Sequence, residues 1–147
     1  MGVHDFSKLT VVMGQRAKEV EKAGPYIVRK LAQIGTDTIV DATPVDTTRA
    51  VSNWKAGASL PTGQDPPLVA SIKGTGASAA RRIVKNRSAS VFKAAEALGA
   101  DTVWLANYVP YIGVLEYGSG THRPHGMVNK GLQAMRAAAK TIRVLKT

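Results

Sequence analysis

A chain of 147 residues, 44% hydrophobic, is long enough to build one domain with a real core, and the expected organisation is a single domain over 1–147. Only two Phe and two Trp are present, so the core must rest on Val, Ile, Leu, Met and Ala; the absence of Cys excludes disulfides, thiol catalysis and cysteine zinc sites. The net charge of +10 is unevenly spread: residues 1–50 carry seven basic and six acidic side chains, 66–95 carry six basic and no acid, and the chain after Glu116 carries six more basic and no acid. A one-sign field of this kind attracts polyanions or an acidic protein surface, unless it is simply a solvated face.

The first segment, MGVHDFSKLTVVMG, has no apolar stretch suited to a signal peptide, and Phe6 stands where a myristoylation signal needs Ser or Thr. No run approaches a membrane span, so the expectation is a soluble protein made in a cytoplasm, with no membrane partner. Residues 7–23 read as a helix through Val12, Arg16, Val20 and Ala23. Gly24-Pro25 interrupts it and marks a kink or a new helix start. From Pro25 to Ala42, Ile27, Leu31, Ile34 and Thr38 form one stripe with Val28 and Ile39 beside it, and Pro44 ends the helix by pushing Thr43 out of helical dihedrals.

Asp46 and Thr47 suit a turn. Residues 50–58 read as a strand with Ser52, Trp54 and Ala56 on one face. Residues 60–88 hold three Pro and three Gly among basic residues and read as a long flexible basic loop, with room for a short strand over 68–72. Ser88-Ala89-Ser90 caps a predicted helix to Leu98, with Val91, Ala95 and Leu98 on one face and Gly99 as its stop. Residues 101–107 read as a strand, Pro110 turns the chain, 112–117 can form one helical turn, and 118–126 is a glycine-bounded loop. A last helix over 127–145 carries Val128, Leu132, Met135, Ala139 and Ile142 on one stripe. The fold class is therefore α+β: a small antiparallel sheet packed by an N-terminal, a middle and a C-terminal helix, with the long basic loop between.

The densest chemistry lies in NYVPYIGVLEYGSGTHRPHGMV, residues 107–128. His122 and His125 could approach one metal ion, but a stable site wants three or four ligands and Arg123 between them repels a cation. Glu116 with His122 could serve as acid and base, yet Ser119 in GSG lacks the strand-to-helix setting of a nucleophile elbow, and the glycines match neither dinucleotide nor phosphate-loop patterns. Neither enzyme activity nor a cofactor is expected, and a metal-dependent hydrolase is a remote alternative. A basic module that binds nucleic acid without reading sequence is the stronger alternative.

Two segments carry a resemblance. TPVDTTRAVSNW (43–54), placed after an amphipathic helix, resembles one signature of a tailed-bacteriophage family; its Pro44, Asp46, Thr47 and Trp54 form the turn and core motif. Residues 107–128 resemble the second signature, in which N-x-x-P-Y leads through a short turn to E-Y-G, a polar loop, and P-x-G-[MF]-V opening the last helix. The chain is thereby similar, from about residue 25 onward, to the phage neck or tail-completion proteins, components of the head–tail connector. Thr48 stands where a glycine is common, so the turn after Asp46 is open to a different shape.

The resemblance implies a structural virion protein that assembles in the host cytoplasm and sits at the head–tail junction. It implies a cyclic homo-oligomer, a hexamer by analogy, that completes the tail, with DNA passing through its lumen. Its partners would be head connector or adaptor proteins on one side and tail tube or tail terminator proteins on the other. Candidate interface residues are Tyr111, Glu116, Tyr117, Gly118, His122, Arg123, Pro124 and His125. The tyrosines offer rigid contact area or fill the core edge, and Glu116 pairs with a neighbour's basic residue or caps the following loop. Lys73, Arg81, Arg82, Lys85 and Arg87 are expected on a projecting arm that meets either genomic DNA or, preferentially, an acidic neighbouring ring.

Overall fold

The computed structural model describes residues 9–12, 24–45, 48–58, 76–100 and 102–145, with the backbone alone at 9–12 and 142–145. The chain forms a small α+β fold. In order the elements are β1 (Leu9–Val12), α1 (Pro25–Ala42), α2 (Arg49–Ser52), β2 (Lys55–Gly57), α3 (Ala77–Ala97), β3 (Trp104–Asn107), α4 (Ile112–Tyr117) and α5 (Met127–Leu145). The three strands form one antiparallel sheet in the order β1-β3-β2, with Val12 opposite Trp104 and Lys55 opposite Ala106. The long helices pack on one another, α1 lying between α3 and α5.

α1 spans the residues its sequence predicts. Pro25 occupies the first helical turn, where its missing N–H costs nothing, and Thr43 takes the extended backbone that a following proline requires. The helix buries Ile27, Val28, Leu31, Ala32, Gly35, Thr36, Ile39 and Val40, while Ile34 and Thr38 of the expected stripe are half-buried at its border. Each fully buried Leu or Ile contributes about 1.5–3 kcal/mol. α5 also has the expected bounds, but Met127, Gly131, Met135 and Ala139 form its buried line, with Val128 and Leu132 half-buried beside it. Gly131 is the point of closest approach to α1: a Cβ there would stand 2.5 Å from Ile39 Cγ1 and 3.0 Å from the Gly35 carbonyl oxygen.

Three expectations are corrected. Where a helix was expected over 7–23, Leu9–Val12 is a strand, since its β-branched Thr10, Val11 and Val12 find an antiparallel partner in β3; residues 13–23 lie outside the described residues. The strand expected over 50–58 is only Lys55–Gly57. Before it the chain makes the helical turn α2, closed by Asn53 Nδ2 donating to the Arg49 carbonyl at 2.7 Å.

The third correction concerns the basic loop. Its last twelve residues, 77–88, belong to α3. That helix turns Ala80, Val84, Ser88, Phe92 and Ala95 to the core, so Ser88 is mid-helix rather than a cap, and Leu98 is 84% exposed rather than on the packed face. Gly99 does end the helix, and Ala100 N–H donates to the Ala95 carbonyl at 2.9 Å beyond it. The possible strand over 68–72 lies outside the described residues. Among the described residues no helix is long and apolar enough to cross a membrane.

Candidate partner-docking site

The two signature segments fold against each other. Asn107, the first residue of the second segment, is fully buried; its Nδ2 donates to the Ala50 carbonyl at 2.8 Å, and its Oδ1 accepts the Val109 N–H at 3.1 Å. One side chain thus ties α2 to the end of β3 and shapes the turn into α4. The seam opens as a cleft of about 440 Å³ lined by Pro44, Thr48, Arg49 and Ala50 from one segment and Tyr111, Val114, Leu115 and His122 from the other.

The first segment is braced from behind the cleft. Thr43, Trp54 and Arg81 share one hydrogen-bonded cluster: Trp54 Nε1 donates to Thr43 Oγ1 at 2.9 Å, Thr43 Oγ1 donates to the Ile39 carbonyl at 2.7 Å, and Arg81 Nη2 donates to the Thr43 carbonyl at 3.1 Å. Trp54, 3% exposed, is a core residue as expected. Asp46 and Thr47 lie outside the described residues. Thr48 has φ 60° and ψ 0°, the left-handed conformation that a glycine adopts without strain and a β-branched residue resists. Arg49 stands at the cleft wall, and its Nε is buried without a hydrogen-bond partner among the described residues.

The second segment is ordered by its own backbone. Glu116, 5% exposed, accepts the Val128 N–H on Oε1 at 2.6 Å, so its carboxylate satisfies an orphan donor in the first turn of α5. Of the two expected roles for Glu116, the structure shows a cap, placed on the helix after the loop. The loop is pinned at its base, where His125 N–H donates to the Leu115 carbonyl at 2.8 Å and Gly126 N–H to the Glu116 carbonyl at 3.2 Å. Gly118, at φ 78°, is required there, because a Cβ would stand 2.9 Å from the His122 carbonyl oxygen and from Pro124. His122, Arg123, Pro124 and His125 are exposed at the loop surface. The tyrosines divide: Tyr111 packs on the core edge and lines the cleft, while Tyr117 is 62% exposed. No group of three His, Asp or Glu among the described residues could hold a metal ion.

The expected basic arm is corrected in detail. Arg81, Arg82, Lys85 and Arg87 are carried on a packed helix, and Lys73 lies outside the described residues. Arg81 serves the Thr43 cluster, and Lys85 pairs with Asp41 of α1 at 2.6 Å. Arg29 of α1 in turn pairs with Glu96 of α3. Asp37 carries a pKa raised above its ordinary value, chiefly by burial; the Gln33 amide, donating to it at 2.7 Å, and the Lys85 charge oppose the rise. Lys55 is shifted down from its ordinary value, first by burial and then by the nearby Arg87.

Thr43, Arg49 and Asn107 are site residues that the sequence reading did not single out. The signal for Asn107 was its place at the head of N-x-x-P-Y, and for Thr43 its place before Pro44. Comparison with protein-family models, with curated proteins and with solved structures finds no match to this chain.

Proposed function

We propose that the chain is a non-enzymatic structural protein of a phage neck, forming a ring that completes the tail and joins it to the head connector, with DNA passing through the lumen. The observation that supports this reading most is the convergence of the two signature segments on one cleft, the pairing held by Asn107 and Ala50. Segments that resemble a family's signature separately become one surface, as an interface motif requires. The cleft has the make-up of a docking site: apolar walls at Pro44, Val114 and Leu115, an aromatic ring at Tyr111, and an arginine at Arg49. The pinned loop over 118–126, whose His122 lines the cleft, exposes Arg123, Pro124 and His125 at its rim, with Tyr117 exposed before it.

An apolar cleft with an exposed loop on its rim suits a heterologous contact with a different surface of the next copy, which closes into a ring when the rotation permits. The ring is a hexamer by analogy with the family, stacked between connector and tail proteins in the virion. Analytical ultracentrifugation and electron microscopy of the purified protein test this, alone and mixed with the neck proteins of its virion. Rings, or incorporation on the tail axis, would support the reading, and Arg123→Glu with Tyr117→Ala, both at exposed positions, should abolish them while circular dichroism shows the fold kept. A protein recovered from particles only as an off-axis monomer would overturn it.

A further inference from the structure

The cations of α3 and those of α5 live in different surroundings. On α3, Arg81 donates to the Thr43 carbonyl and Lys85 pairs with Asp41; of its three exposed cations Arg82 shares a hollow with Asp41 and Lys93 one with Glu96, so acids are interspersed among them, and Arg87 alone has no acid beside it in either. The chain after Glu116 has no acid at all, and the Glu116 carboxylate itself is buried under Val128 N–H. α5 exposes Asn129, Lys130, Gln133, Arg136, Ala137, Lys140 and Thr141. At 100° per residue these positions cover an arc of about 140°, with Lys130 near one border, Arg136 at the other and Lys140 between. Among the described residues, none of Arg123, Lys130, Arg136 and Lys140 makes an ion pair.

We infer that this outer face of α5 is a track for nucleic-acid phosphates. Two anionic partners could answer such a charge, and the composition of the face chooses between them. Protein interfaces centre on aromatic or aliphatic anchors. The exposed large hydrophobic residues among those described are Tyr26, Leu98 and Tyr117, and none lies on α5. What the face does offer is three cations and two side-chain amides, which is what contact with a phosphate backbone uses. Along the helix Lys130 and Arg136 are about 9 Å apart and Arg136 and Lys140 about 6 Å, so the three charges are spread along the face rather than gathered at one point. Such contacts hold DNA without reading its sequence. The inference deepens the neck-protein reading by assigning the face that meets the genome, but it is tested on the isolated chain.

The experiment is fluorescence anisotropy of two 30-base-pair duplexes of unrelated sequence, titrated with the full chain at several salt concentrations. The wild type should bind both equally, with affinity falling steeply as salt rises. The triple variant Lys130→Gln, Arg136→Gln, Lys140→Gln, all at exposed positions, should reduce the slope of log affinity against log salt by about 2.7, three contacts at about 0.9 each. The matched variant Arg82→Gln, Arg87→Gln, Lys93→Gln on α3 should leave that slope unchanged, and circular dichroism of both variants checks the fold. Equal slopes for wild type and the α5 variant, or no duplex binding at 50 mM salt, would overturn the inference and point to an acidic protein surface instead. Sedimentation of the same samples reads ring formation separately, so loss of the ring with DNA binding intact would count against the neck reading alone.

Discussion

Trp54 and Thr43 are joined side chain to side chain, the indole Nε1–H donating to Oγ1 at 2.9 Å. Thr43 Oγ1 passes its own hydrogen to the Ile39 carbonyl, so the last turn of α1, the chain after Pro44 and the strand β2 are fastened at one buried point. Replacing Trp54 by Ala should cost about 3–5 kcal/mol, enough to unfold a marginal domain. Trp54→Phe keeps most of the apolar volume but leaves Thr43 Oγ1 without its donor, and should cost less, about 1–3 kcal/mol. Urea denaturation of the two variants checks both the size and the order of these losses; unchanged melting of Trp54→Ala would remove the assignment.

Thr48 offers a gain. An L-residue in the left-handed region carries about 1–2 kcal/mol of strain, part of which glycine gives back through its freer unfolded chain. Thr48→Gly should therefore stabilise the protein by up to about 1 kcal/mol, while Thr48→Ala should bring no such gain. A calorimetric series of the three proteins makes the comparison.

Glu116 should matter through the start of α5. Glu116→Ala strips the acceptor from Val128 N–H and should cost about 1–3 kcal/mol; Glu116→Gln keeps an oxygen there and should cost about 1 kcal/mol less. Amide hydrogen exchange gives the specific readout: protection should fall at Val128 and its neighbours in the first turn of α5 and stay high along α1.

Asp37 sets a pH dependence. Burial raises its folded pKa above the ordinary 3.8, so the folded state binds the proton more tightly than the unfolded chain does. The stability this group contributes is fully present below 3.8 and is lost as pH rises through the raised folded value. Asp37→Asn removes that loss while keeping an oxygen to accept from Gln33, so the variant should melt higher than wild type at neutral pH, with the gap closing on acidification toward 3.8. Lys85→Gln, which removes an opposing positive charge, should shift the window upward in pH. Melting curves across pH 3–7 for the three proteins test the sign; a gap that widens on acidification would contradict it.

The parts of the fold that could be read from sequence are those where one local signal decides. α1 is bracketed by Pro25 and Pro44, and α5 has an apolar line sustained over its length. The first half of α3 escaped because its core positions are Ala80, Val84 and Ser88, too small or too polar to register as an apolar stripe among Arg and Lys. The strand Leu9–Val12 exists through its pairing with β3, nearly a hundred residues away, which no local window contains. The cleft was hidden for the same reason. Its residues could be suspected in two blocks, but only the fold, through Asn107 and Ala50, makes them one surface.

The empty place for a side chain at Gly131 reaches beyond packing. With Ile39 seated against its α-carbon, α5 can turn or slide on α1 only by driving a side-chain-bearing position into the gap that Ile39 fills; one turn in either direction presents Met127 or Met135 there. The pair therefore behaves as one stiff strut with a single azimuth. A pull on the outer side of α5 should then pass to α1, and from the Ile39–Thr43 turn to Pro44 at the wall of the cleft.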